Sequence, residues 1–256
     1  HSIVYSNPNN PSWICLTDNE LRIIAEMANK YDVIVAEDLA YFGMDFRQDI
    51  STPGKAPFQA TVAKYTDNYV LFMSSSKAFS YAGERLGVMV ISDKLFKGHY
   101  PDLVENFGTD SLGRAIVYGS VYALSSGTAH SAQYAMAAIL KACNDGKYNL
   151  VEGMKEYADK AHEMKKMFTD NGFKIVYDKD EDKDLADGFY FTISYPGFTG
   201  AQLIEELLFY GISAITLDIC GSSRNEGLRA CVSLVSKSQF PTLKERLEKF
   251  HANHKK

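Results

Sequence analysis

Three apolar runs of strand length open the chain, starting at Ile3, Val33 and Val70, and each ends in a cluster of polar residues. Between the first two, residues 16–30 set Leu21, Ile24 and Met27 or Ala28 on one stripe behind Thr17 and Asp18, the pattern of a capped amphipathic helix. Strand, helix, strand predicts a parallel pair joined by a right-handed crossover. A fourth apolar run, residues 85–92, follows the third so closely that it is predicted to lie antiparallel to it.

Farther along, the period changes. Residues 110–141 read as mostly helical with an interruption near Ser125-Ser126-Gly127-Thr128, and Ile116, Val121, Leu124, Tyr134, Met136 and Ile139 form the stripe expected to cover a sheet. Residues 150–171 repeat Met154, Tyr157 or Ala158, Ala161, Met164 and Phe168 at helical spacing, with Gly172 as a fitting C-cap. The cluster at residues 178–184 alternates acids with lysines, which reads as an exposed loop and not a metal site. Strands are predicted at 189–194, 212–217 and 228–235, and helices at 201–210 and 240–251, a small α+β arrangement. The fold class expected is therefore α/β, a mostly parallel sheet with helices on both faces, followed by a small α+β domain. Residues 1–150 would form the large part, 151–172 a connecting helix and 173–256 the small domain.

Composition narrows the chemistry. At 256 residues the chain is long enough for two domains, and its formal net charge of -5, without a basic run, speaks against nucleic acid. The expected partner is a small molecule. Cys15, Cys143, Cys220 and Cys231 lack metal-ligand spacing, and Cys15 and Cys231 read as core thiols. No metal site is expected. No apolar stretch reaches the length of a membrane span and no secretion signal stands at the start, so the cytoplasm is the expected location.

The three strand ends carry the candidate chemistry. Asn7-Pro8-Asn9-Asn10-Pro11-Ser12-Trp13 follows the first, Glu37-Asp38-Leu39-Ala40-Tyr41 the second, and Ser74-Ser75-Ser76-Lys77 the third, with Arg85 eight residues beyond the lysine. Ligands of open α/β sheets bind at the carboxyl ends of strands, so the placement favours a site. In order and spacing, Asn10, Asp38, Tyr41, Ser74, Lys77 and Arg85 resemble the residue set of the class I and II aminotransferases, fold type I enzymes that use pyridoxal 5'-phosphate.

The resemblance implies a role for each. Lys77 would form the Schiff base with the cofactor and shuttle a proton between the substrate's alpha carbon and the cofactor's C4'. Asp38 would keep the pyridine nitrogen protonated, Tyr41 and Asn10 would hydrogen-bond the phenolic oxygen, and Ser74 and Arg85 would hold the phosphate. In the late segment 227–235, Arg229 looks like the arginine that clamps a substrate's alpha-carboxylate. Trp13 stands where the family's Asn-Pro-Thr-Gly turn has glycine, a departure that bears on the local backbone. Asn7-Pro8 and Asn10-Pro11 are candidates for cis peptide bonds.

Taken together these expectations describe transfer of an amino group between an alpha-amino acid and a 2-keto acid, in a protein that is a homodimer when whole. Because complete members carry a long segment before the first of these turns, the chain resembles the C-terminal part of such an enzyme, with weak cofactor binding expected of the part alone. Two alternatives share the resemblance: a carbon-sulfur beta-lyase, and the aminotransferase-like effector domain of a transcription regulator.

Overall fold

A computed structural model describes residues 1–255. The chain forms two compact units, one built from His1–Asn7, Leu16–Gly43 and Ile50–Val151, the other from Pro8–Cys15, Met44–Asp49 and the residues from Glu152 onward.

The first unit is organised by a four-stranded sheet in the order β1 (Ser2–Ser6), β2 (Ile34–Asp38), β3 (Tyr69–Ser74), β4 (Gly87–Ile91). β1, β2 and β3 run parallel and β4 is antiparallel to β3, as the short connection predicted. The crossover from β1 to β2 is α1 (Asp18–Tyr31), whose start is set by a capping box: Thr17 Oγ1 accepts from Glu20 N at 3.3 Å and Glu20 Oε2 accepts from Thr17 N at 2.7 Å. It ends at Asp32, in the left-handed region at φ 47°, whose N–H donates to the Ala28 carbonyl. Of the two candidates for its third stripe position, Ala28 is buried and Met27 lies on the surface.

Register divides this sheet into two chemically distinct faces. Tyr5 stands opposite Glu37, Ser6 opposite Asp38, Asp38 opposite Phe72, and Ser74 opposite Gly87. Val35, Leu39 and Leu71 share the face that packs on Leu21, Ala25 and Ala28 of α1 and on Val62. Ser6, Asp38, Phe72 and Ser74 share the other, where Val4 is 73% exposed and Phe72 40%.

Beyond β4 the long helical region is more broken than its periodicity suggests. A turn at Leu112–Arg114 runs into a π-helical stretch, Ala115–Tyr122, then Ala123–Ser125, and helix resumes at His130–Asn144 after Ser126 and Gly127 take positive φ. Ala132 and Met136 pack against Leu86 and Val88, whereas Val121, Leu124 and Tyr134, expected in the covering stripe, are exposed. At Val121 the change of period explains the difference: in a π-helical stretch each turn takes more residues, so a 3.6-residue stripe leaves its face there.

In the second unit, β5 (Lys174–Ile175), β8 (Tyr190–Ser194), β10 (Leu228–Cys231) and β9 (Ile215–Thr216) form an antiparallel sheet in that order, with β6 (Lys179–Asp180) and β7 (Lys183–Asp184) as a separate hairpin. The helices Leu150–Asp170, Gly200–Phe209 and Phe240–His254 supply Ala161, Met164, Phe168, Leu203, Leu207, Leu247 and Phe250 to one aromatic-rich core with Phe191, Ile193 and Leu228. Three expectations change here. Residues 178–184, read as an exposed loop, are mostly exposed but pair as a hairpin turned by Glu181 at φ 52°. The strand expected from 212 pairs only at Ile215–Thr216, because Gly211 at φ 69° lets the Ile212 amide bond back to the Leu207 carbonyl and close the preceding helix. Cys231 is exposed, since alternation along β10 buries Leu228 and Ala230 and turns Arg229 and Cys231 the other way.

Candidate active site

In the first unit the candidate residues gather at the carboxyl end of the sheet. Asp38 is the last residue of β2 and Ser74 the last of β3, and the register sets both on the face opposite α1. Asp38 Oδ1 accepts from Ala40 N at 2.9 Å, an Asx turn that ties the carboxylate to the backbone leading to Tyr41. Tyr41 is buried, 6% exposed. Lys77 is half-buried, three residues past the end of β3, and its carbonyl accepts from Ser80 N at 3.0 Å. Arg85 is exposed at φ 52°, with Nη1 donating to the Ala82 carbonyl at 2.8 Å.

The turn carrying Lys77 and Arg85 is closed by a residue the sequence pattern did not single out. Ser75 is fully buried; its hydroxyl donates to the carbonyls of Leu86 at 2.6 Å and Tyr81 at 3.2 Å, its amide also reaches Leu86 O, and its own carbonyl accepts from Tyr81 N. One short side chain thus joins both ends of the lysine loop. Among three consecutive serines, the signal was alternation: with Ser74 as the last strand residue, the next side chain turns to the buried side.

The remaining two candidates belong to the second unit. Arg229, in the middle of its sheet, donates from Nη1 to Asn10 Oδ1 at 2.6 Å and lies with its guanidinium carbon 4.2 Å from the centre of the Tyr190 ring. Its Nε is buried without a hydrogen-bond partner among the described residues. The Asn10-Pro11 bond is cis. Trp13 takes φ 64°, the conformation glycine adopts without cost, and its ring is 1% exposed, edge-on to Tyr190 at 5.9 Å. A Cβ on Gly188 would meet that indole at 2.0 Å, so the glycine missing from the turn reappears at the site where the larger ring has to fit.

Behind Asp38 lies a second carboxyl group to which the sequence pattern assigned no role. Glu37 points to the α1 face and is 0% exposed. Its Oε1 accepts from Asn7 Nδ2 at 3.1 Å, and its Oε2 accepts from Thr61 Oγ1 at 2.6 Å and Val62 N at 3.0 Å. Burial pushes its carboxyl above the usual glutamate range, against the pull of those donors, and burial with the nearby Glu37 charge pushes the Tyr5 hydroxyl up as well. The described residues hold no cluster of histidine, cysteine, aspartate and glutamate fit for a metal ion, and no helix among them is long and apolar enough to cross a membrane.

Known proteins with similar sequences and folds bear on this geometry. The chain is 37% identical over 84 residues, 32% of its length and 19% of the relative's, to a glutamate-pyruvate aminotransferase of Escherichia coli. It is 29% identical over 153 residues, 60% of its length and 35% of the relative's, to a histidinol-phosphate aminotransferase of Brevibacillus brevis. In fold it is similar to an aromatic aminotransferase from Pyrococcus horikoshii, with a TM-score of 0.75 at 18% identity, covering 99% of this chain and 60% of that structure. The chain thus spans less than two thirds of the length of these proteins. The sequence pattern of the family described as aminotransferase class I and II matches residues 1–247, and the chain belongs to that family, which depends on pyridoxal phosphate.

Proposed function

We propose that the protein transfers an amino group between an alpha-amino acid and a 2-keto acid with pyridoxal phosphate as cofactor, acting as a homodimer in the cytoplasm. The observation that carries this reading is the convergence in the first unit: Asp38 and Ser74 end adjacent strands on one sheet face, and the loop leaving that edge carries Lys77 and Arg85 between ends joined by Ser75. The donor set fits the cofactor, since an amine, a carboxylate, a hydroxyl and a guanidinium are the partners that an aldehyde, a pyridine nitrogen and a phosphate require.

When bound, the cofactor withdraws electrons from the substrate's alpha carbon. Lys77 would hold the cofactor through its aldehyde and, once its amine is free, would move the proton of the substrate's alpha carbon. Asp38 would face the pyridine nitrogen and favour its protonated form, and Tyr41 would donate to the phenolic oxygen. Ser74 and Arg85 grip the phosphate. Arg229 takes the substrate carboxylate with guanidinium hydrogens not already given to Asn10, which holds the plane of the group. Asn10 would also donate from its amide nitrogen to the phenolic oxygen.

The experiment is spectroscopic. Pyridoxal phosphate added to the full-length protein is expected to give a new absorbance band near the visible edge that Lys77→Ala abolishes, and an unchanged band in that variant removes Lys77 from the reaction. Amino-group transfer then requires a keto-acid acceptor. Release of pyruvate and ammonia from a cystathionine-like substrate without any acceptor would assign the beta-lyase reaction instead.

A further inference from the structure

We infer that Glu37 is a positioning residue for Asp38, acting through Asn7 from the opposite face of the sheet. This rests on the reading of Asp38 as the partner of the pyridine nitrogen. Alternation along β2 keeps Glu37 away from the site, so it touches neither substrate nor cofactor. It instead closes a ring of hydrogen bonds beneath it. Asn7 N donates to the Asp38 carbonyl at 2.9 Å, fixing the backbone from which the Asp38 side chain leaves. The Asn7 side chain is held at both ends: its Oδ1 accepts from Leu16 N at 3.0 Å, and its Nδ2 donates to Glu37 Oε1 and to the Ala60 carbonyl at 3.3 Å. Glu37 Oε2 in turn collects Thr61 and Val62, which anchors the segment before the one-turn helix Val62–Lys64.

The ends of β1 and β2, the segment leading into α1 and the chain at residues 60–62 therefore meet on the Asn7–Glu37 pair. Glu37 is 0% exposed and makes no ion pair among the described residues, an arrangement costly to maintain for packing alone. A leucine there would extend the apolar face formed by Val35 and Leu39. What an apolar side chain cannot supply is a fixed acceptor for Asn7.

Polarity makes the idea testable. In Glu37→Gln the amide oxygen keeps the two donors on the Oε2 side, which leaves an NH2 facing the Asn7 NH2. Asn7 cannot turn its amide, because Oδ1 is already engaged by Leu16 N. Full-length Glu37→Gln is expected to bind pyridoxal phosphate roughly tenfold more weakly in an absorbance titration, the effect of one buried donor set against another. Adding Asn7→Asp restores a donor-acceptor pair with residue 37 while giving up the bond to the Ala60 carbonyl, and should recover part of the affinity. In an Asp38→Asn background, Glu37→Gln should produce no further loss, whereas general loosening would add to it. Unchanged affinity in Glu37→Gln, no recovery at all on adding Asn7→Asp, or additivity with Asp38→Asn each overturns the inference. If Glu37→Gln does not fold, the paired variant decides alone. Wild-type protein that takes no cofactor would instead remove the functional reading, and this inference with it.

Discussion

The two units solve the burial problem differently. In the second, the central strand Tyr190–Ser194 is almost wholly buried, and helices close a single core around it. In the first, the sheet packs on α1 by one face only, while the other carries Asp38 and Ser74 beside the partly exposed Phe72 and Met89. A closed core tolerates little change in volume anywhere, whereas a sheet with one packed face separates the residues that hold it together from those that do chemistry. Adjacent positions such as Glu37 and Asp38 can then serve opposite purposes one pleat apart.

The sharpest way to break this contrast is Trp13→Ala. It empties the space between Gly188 and Tyr190 and is expected to destabilise the second unit by about 3–5 kcal/mol, read as a shift in the denaturant midpoint. Next comes the neighbouring pair Leu71 and Phe72, which face opposite ways. Leu71→Ala should cost about 2–5 kcal/mol, as expected for a buried leucine, and Phe72→Ser about 1 kcal/mol or less by the same measurement. Equal losses would mean that the two faces are not distinct. Ser75→Ala removes the hydroxyl that bonds two carbonyls across the lysine loop and should cost about 1 kcal/mol, with faster amide exchange confined to residues 75–86.

The smallest effect is on pH dependence. Because folding raises the Glu37 pKa, the native state holds more protons than the unfolded chain between the ordinary glutamate value, about 4.3, and the raised one. This contribution is full below that window and is lost as pH climbs through it. The melting-temperature advantage of wild type over Glu37→Gln should therefore narrow with rising pH. An advantage that widens would mean that folding lowers the Glu37 pKa instead of raising it.

Much of this was legible along the chain, and the legible part has a common cause. The helix cap at Thr17 and the interruption near Ser126 follow from residues a few positions apart, and the parallel strand-helix-strand unit and the antiparallel β4 follow from the length of the connection between consecutive elements. The spacing from Asp38 to Tyr41 and from Ser74 to Arg85 was likewise readable, because each motif lies within one turn or loop. Cys231 was not, because an apolar segment says that a strand forms but not which alternate positions face the core. The reach of the 212–217 strand is shorter than its pattern because hydrophobicity alone does not reveal where a helix cap ends.

Tertiary structure alone decided the partnerships across long separations: Arg229 with Asn10, Trp13 against Gly188, and Glu37 with Asn7 and Thr61. A carboxylate looks the same in a sequence whether it faces solvent or three buried donors, and only packing determines the difference. Local pattern reflects short-range sterics and the period of each element. The pairing of distant polar groups depends on register and burial, which exist only once the sheet has closed on its helices.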